Sequence, residues 1–168
     1  RIELGTGPAE GFVIRWDSAT LDMMPRSLTY AQFHKDPYSQ AIFSVTESGR
    51  CFSHLPSHLT SLVLFTDVPH TVTRHLPRSL TSLAIWGATM NESSYKLLPR
   101  SLTHLSLVRL FKFHPKYARA LPDGLLELHI KTIRFSSKGL AALPRGLRVL
   151  SFTHAANFSL KDYQCLTP

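Results

Sequence analysis

Leu76-Pro77-Arg78-Ser79-Leu80-Thr81-Ser82-Leu83 returns almost word for word as Leu98-Pro99-Arg100-Ser101-Leu102-Thr103-His104-Leu105. Looser copies follow the Leu-Pro pairs at Leu55, Leu121 and Leu143, and a first copy follows Pro25. Units so defined open at Leu28, Leu59, Leu80, Leu102, Leu125 and Leu147, in steps of 31, 21, 22, 23 and 22 residues. A recurrence of this length rules out an ordinary closed core. Each unit is too short to bury its own apolar face and must stack on its neighbours.

Within every unit the apolar pattern is L-x-x-L-x-L. The triplets are Leu28/Ala31/Phe33, Leu59/Leu62/Leu64, Leu80/Leu83/Ile85, Leu102/Leu105/Leu107, Leu125/Leu128/Ile130 and Leu147/Leu150/Phe152. The last two members alternate with polar or variable residues, which specifies a short strand with one face buried. A second apolar column precedes each Pro, at Leu55, Leu76, Leu98, Leu121 and Leu143. A third lies four or five residues before it, at Phe52, Val72, Tyr95, Tyr117, Leu140 and Tyr163. The segments between strands predict one or two helical turns. Asn91 and Ser137 are expected N-caps, and Ser159 with Asp162 has the spacing of a capping box. The Pro then ends each turn, because it disfavours helical geometry in the residue before it.

Residues 1–24 are an irregular segment or a degenerate repeat, with a strand expected at Phe12-Val13-Ile14-Arg15-Trp16. Residues 25–168 form the array. The long first step places an insertion within 36–53, where Asp36-Pro37 and Ser48-Gly49 signal turns.

These units resemble the leucine-rich repeat superfamily, whose period is roughly 20 to 29 residues. The Leu-Pro lead-in is similar to short LPX-type repeats, and Leu-Pro-x-Ser-Leu-Thr-x-Leu to FNIP-type repeats. The resemblance covers about residues 21–168. It implies an α/β solenoid with a curved parallel sheet on the concave side and short helical or irregular convex segments. One position departs from the family. Where its members carry Asn or Cys after the strand, this chain has Asp36, Asp67, Ala88, Leu110, Ile133 and Ala155. Without that asparagine ladder, the turn after the strand must find hydrogen-bond partners elsewhere.

The fold implied by the resemblance carries its partners on the concave face. The outward residues that would meet one are Tyr30, Phe65, Trp86, His104, Arg109, His129 and Lys131. Phe65 and Trp86 would neighbour each other, and exposed aromatics make binding anchors. His104, His129 and His154 recur at about one repeat. They occupy different positions in their units and lack a completing ligand set, so they are read as surface histidines, with no metal site. Arg26, Arg78, Arg100 and Arg145 share the position after the Pro. They are either an anion-binding rim or consensus residues whose stems cover apolar surface.

The formal charge of +8 permits nucleic acid or an acidic protein as partner without identifying one. The two cysteines, Cys51 and Cys165, lie too many units apart to bridge. Unpaired cysteines favour a reducing compartment, taken here as the cytoplasm. Asn91-Glu92-Ser93 and Asn157-Phe158-Ser159 match the glycosylation pattern, but such triplets also arise by chance. No apolar run approaches the roughly 18 residues that span a bilayer. The start at Arg1 suggests a piece of a longer protein. Glu3-Leu4-Gly5-Thr6-Gly7-Pro8 is similar to a nucleotide-binding glycine loop, but an array that begins within about 20 residues leaves no room for the βαβ unit such a loop needs. Cys51 has His54 and His58 near it in sequence, with no oriented base or oxyanion site to make it a nucleophile. No Walker loop, H-E-x-x-H, C-x-x-C or G-x-S-x-G motif is present. The expectation is a protein-binding module or scaffold, neither an enzyme nor a holder of a cofactor. Two alternatives stand beside it: a basic subunit packing on RNA or another polyanion, and the recognition arm of an enzyme such as a ubiquitin ligase.

Overall fold

The computed structural model describes residues 2–4, 18–34, 47–65, 71–86, 90–110, 113–132 and 137–153. Seven strands form one parallel sheet in strict chain order. They are β1 (Ile2–Leu4), β2 (Tyr30–His34), β3 (Ser61–Phe65), β4 (Ser82–Trp86), β5 (His104–Leu110), β6 (Glu127–Thr132) and β7 (Val149–Thr153). Neighbouring strands pair so that leucine faces leucine: Leu62, Leu83, Leu105, Leu128 and Leu150 align across five consecutive strands. Sliding one strand by a single residue would turn its whole apolar set to the other face, so the leucine columns lock the register.

Those columns are the core. The triplet residues from Leu28 to Ile130 are all buried. In the last unit Leu147, Leu150 and Phe152 are only partly buried, as expected where rungs bury their faces against neighbours on both sides. The return segments close the opposite side. They are α1 (Ser18–Asp22), two 3-10 segments at Glu47–His54 and Val72–His75, α2 (Glu92–Lys96), α3 (Pro115–Ala118) and α4 (Ser137–Leu140). Their inward residues Phe52, Val72, Tyr95 and Leu140 are buried. Tyr95 stacks on Tyr117 at 4.8 Å and meets Phe113 edge-on at 5.6 Å. Burial, with Tyr117 second, pushes the Tyr95 hydroxyl pKa far above its usual value, so this phenol stays neutral at any working pH.

The Leu-Pro consensus is a turn. In all six units the Pro carbonyl accepts the N–H of the opening leucine three residues on, at 3.0–3.3 Å. The consensus Ser and Thr then tie each rung to the one before. Ser79 Oγ donates to the Leu59 carbonyl at 2.6 Å, and Ser101 Oγ reaches the Arg78 and Leu80 carbonyls, both at 2.6 Å. Thr60, Thr81 and Thr103 donate to the carbonyls of Thr29, Thr60 and Thr81 at 3.0–3.2 Å. Each of these threonine carbonyls also takes two backbone N–H groups from the next unit. This Ser/Thr ladder at the strand entrance binds rung to rung in a chain without the asparagine ladder.

Asn91 caps α2 as expected. Its side chain accepts the Ser94 N–H at 3.0 Å, and Ser94 Oγ accepts the Asn91 N–H at 3.3 Å. Ser137 is the first residue of α4 and not the cap before it. The N-terminal strand lies at Ile2–Leu4, overlapping the start of the sequence that resembled a glycine loop, and pairs with Ala31–Phe33. The strand expected at 12–16 lies outside the described residues, as do residues 35–46 of the insertion, His154, the Ser159 capping box and Cys165. The described end of the insertion, Glu47–His54, is a return segment that buries Cys51 and Phe52. No helix among the described residues is long and apolar enough to cross a membrane.

Candidate functional site: the outward face of the sheet

Alternation along each strand sends every second side chain away from the core. In-register pairing lines these up in rows. Across the first run Tyr30, Ser61, Ser82, His104, Glu127 and Val149. Across the second run Gln32, Val63, Ala84, Ser106, His129 and Ser151. Along the strand ends Trp86, Val108, Lys131 and Thr153 follow one another. The centre of the face is therefore small and shallow, built of Ser61, Ser82, Ala84 and Ser106, with larger groups around it.

On one flank the half-buried Tyr30 hydroxyl donates to the Gln32 side-chain carbonyl. On the other, His104 and His129 sit on either side of the Glu127 carboxylate, at 3.5 and 3.8 Å. The Thr103 hydroxyl lies 2.8 Å from His104 Nδ1 and fixes the ring's edge. Glu127 stands on the outward face with the two histidines but is not among the candidate binding residues named from the sequence. The signal was available: Glu127 falls opposite His104 once the leucines are aligned, and His129 lies two residues on, on the same face. Among the described residues no three His, Cys, Asp or Glu side chains converge to hold a metal ion.

At the strand ends Trp86 is 37% exposed and Lys131 is exposed. Val149, at the far end of the first row, is 40% exposed. Val108 stands in the outward row yet is only 6% exposed. The β5–β6 register shifts between Val108 and Leu110, so Arg109 occupies a bulge. Phe65 ends β3, but the β3–β4 pairing stops at Leu64/Ile85, one residue short of setting Phe65 opposite Trp86. The side chains of Phe65 and Arg109 lie outside the described residues.

The arginines after each Pro do not act alike. Arg26 pairs with Asp22 at 3.4 Å. Arg100 donates to the Leu121 carbonyl of the next unit at 3.5 Å. Arg78 and Arg145 are exposed, and Asp123 takes the intervening place between Arg100 and Arg145. Asn91, in one glycosylation-like triplet, has its carboxamide engaged in the α2 cap.

No family model matches the chain, and no curated protein matches it. Among solved structures it is similar to the leucine-rich repeat-containing protein LegL7 from Legionella pneumophila. That likeness has a TM-score of 0.55 and 13% identity, over 88% of this chain and 55% of LegL7. A second likeness is to CroV588, described as a circular leucine-rich-repeat protein, with a TM-score of 0.43 and 23% identity over 77% of this chain and 24% of the other. This chain thus spans about half the length of LegL7, and at such identity the likeness is one of fold. Leucine columns in register, strands in chain order, short returns closing the other side and the LegL7 likeness agree: the chain folds as a leucine-rich-repeat solenoid.

Proposed function

We propose that this chain is a non-catalytic protein-interaction module that takes its partner on the outward face of the sheet. The observation that carries the reading is the row structure of that face. A shallow floor of Ser61, Ser82, Ala84 and Ser106 is bordered by Trp86 and Lys131 on one margin and by His104, Glu127 and His129 along the rows. A half-exposed indole beside a flat small-residue floor offers an anchor with room for a partner's backbone to approach. Tyr30, Phe65 and Arg109 complete the proposed set at the margins.

The Arg26, Arg78, Arg100 and Arg145 row supports an extended polyanion surface less well. One member is paired with Asp22, one is bonded to backbone, and Asp123 interrupts the line.

The test is affinity capture with the wild type, a Phe65→Ala/Trp86→Ala variant and an Arg78→Gln/Arg145→Gln variant. The aromatic variant should lose specific partners by at least tenfold, and the arginine variant should keep them. The reverse pattern would move the site to the turns. An identical partner list for all three would remove the proposal while leaving the fold intact.

A further inference from the structure

Glu127 is the one carboxylate among the outward side chains described from β3 to β7, and two imidazoles share it. His104 Nε2 lies 3.5 Å from Oε1 and His129 Nε2 lies 3.8 Å from Oε2, so each ring faces its own oxygen. One carboxylate balances one imidazolium. With both rings protonated the cluster is left with an excess positive charge, and Lys131 stands two residues beyond His129 on the same strand and face. The neighbouring strands β4 and β7 add no charged outward side chain among those described, and exposed Arg148 comes just ahead of β7.

The threonine ladder fixes which edge of His104 carries a hydrogen. The Thr103 hydroxyl has one hydrogen, which goes to the Thr81 carbonyl at 3.1 Å. His104 Nδ1, 2.8 Å from the same hydroxyl oxygen, is then the donor. A neutral ring so placed turns a bare Nε2 lone pair toward the Glu127 carboxylate, whereas a protonated ring turns an N–H toward it. All three side chains are well exposed, at 48% and 45% for the rings and 37% for Glu127. An internal ion pair holds weakly at such exposure, so an incoming carboxylate competes with Glu127 for either ring.

We propose that the His104–Glu127–His129 cluster makes the outward face a seat for an acidic segment of a protein partner, held more tightly as pH falls from about 7.5 to about 5.5. This rests on the reading that the outward face takes a protein, and adds the partner's charge and the condition that favours it. Histidine is the side chain that gains charge in that range, while carboxylates ordinarily stay ionised there. With neutral rings Glu127 and Lys131 cancel; protonation of both rings then adds two positive charges to the described face. Trp86 and Lys131 lie in one row, two strand intervals apart, which is roughly 9.6 Å or about three residues of extended chain. An apolar residue seated on the indole therefore places an acidic residue three positions on beside Lys131 and His129. A nucleic-acid backbone fits less well. Crossing the rows, it meets the Glu127 carboxylate among the cations and no described cation on the outward face of β3 or β4.

The test follows binding to the intact chain by heteronuclear NMR at pH about 7.5 and about 5.5, with far-UV circular dichroism checking the fold at both. The probe is a peptide capped at both ends that carries leucine and glutamate three residues apart. The same peptide with glutamine and a single-stranded oligonucleotide are the comparisons. The glutamate peptide should shift the signals of Trp86, His104 and His129 and bind at least about fivefold tighter at the lower pH, since uptake of one proton on binding allows up to about tenfold per pH unit. His104→Gln/His129→Gln should lose that gain. Glu127→Gln removes the internal competitor and should tighten binding of the glutamate peptide at the lower pH. Arg145→Gln, outside this face, should show the wild-type gain. A peptide that binds in a Trp86-dependent way but equally at both pH values, or a gain that survives in the double histidine variant, would overturn this inference and leave the protein-binding reading standing. An equal gain for the glutamine peptide, or a larger one for the oligonucleotide, would overturn the acidic segment as the occupant. Absence of outward-face shifts with either peptide at both pH values would count against this inference and the protein-binding reading together.

Discussion

Replacing Gly146 with serine should stabilise the array. In the third and fourth units the residue before the opening leucine is Ser79 or Ser101, and its hydroxyl bonds carbonyls of the preceding unit. In the last two units that residue is Gly124 or Gly146, and the following Thr is replaced by Leu126 or Arg148. The side-chain ladder stops there, although the backbone bonds continue: Arg148 and Val149 still donate to the Leu126 carbonyl at 2.8 and 3.1 Å. Gly146 does not have a positive φ. A Cβ built on it lies 3.6 Å from the Asp123 carbonyl oxygen and 3.8 Å from that of Leu125, in open contact. Those carbonyls stand where Arg78 and Leu80 stand for Ser101, so a serine hydroxyl there meets the same acceptors. One net hydrogen bond contributes about 0.5–1.5 kcal/mol. Removing a glycine from a compatible backbone adds about 0.4–1 kcal/mol through the unfolded state. The sum is about 1–2.5 kcal/mol, which for a chain of this length raises the unfolding temperature by roughly 2–10 °C. Thermal and urea unfolding of wild type, Gly146→Ala and Gly146→Ser separate the two terms: alanine should give the smaller part and serine the whole. If alanine matched or exceeded serine, the hydroxyl ladder would contribute nothing. If serine destabilised the chain, the assigned geometry would be wrong.

Other parts of the structure give further expectations. Leu105→Ala removes a fully buried side chain at the middle of the longest leucine column and should cost about 2–5 kcal/mol in urea unfolding; a cost below about 1 kcal/mol would mean the column is not the core. Asn91→Ala should cost about 1 kcal/mol by loss of the α2 cap, with Asn91→Asp retaining most of it, since both oxygens accept the Ser94 N–H. His75 has its pKa below that of the unfolded chain, so the unfolded state takes up protons first as pH falls below about 6.5. His75 therefore subtracts stability on acidification and nothing at higher pH, and His75→Gln should lose less stability than wild type between pH 7 and 5 and match its pH dependence above 7. A wild-type loss equal to that of the variant would show that His75 is not held down.

The repeat frame was legible because register depends on spacing alone. Leu83, Leu105 and Leu128 had to align once the period was known. Three features were not legible, each for a physical reason. The first strand at Ile2–Leu4 has only three residues and no Leu-Pro lead-in, so nothing local distinguishes it from a loop. The serines and threonines of the consensus were visible, but their role depends on carbonyls one unit back, which sequence does not place. The close approach of Gly49 to Val72 arises because the return segment of the insertion packs on that of the next unit, across a step that breaks the regular period. Among the candidate side chains, Trp86, Lys131, His104 and His129 stand on the outward face, whereas Val108 shows that position in a row does not guarantee exposure beside a bulge.

The stacking of rungs is tested most directly by distances along one row. Spin labels placed pairwise between Val149 and each of Ser82, Ser61 and Tyr30 span three, four and five strand intervals. Backbone separations should grow by roughly 4.8 Å per interval, to about 14, 19 and 24 Å. A Tyr30–Val149 separation that failed to exceed the Ser82–Val149 one would contradict the open array.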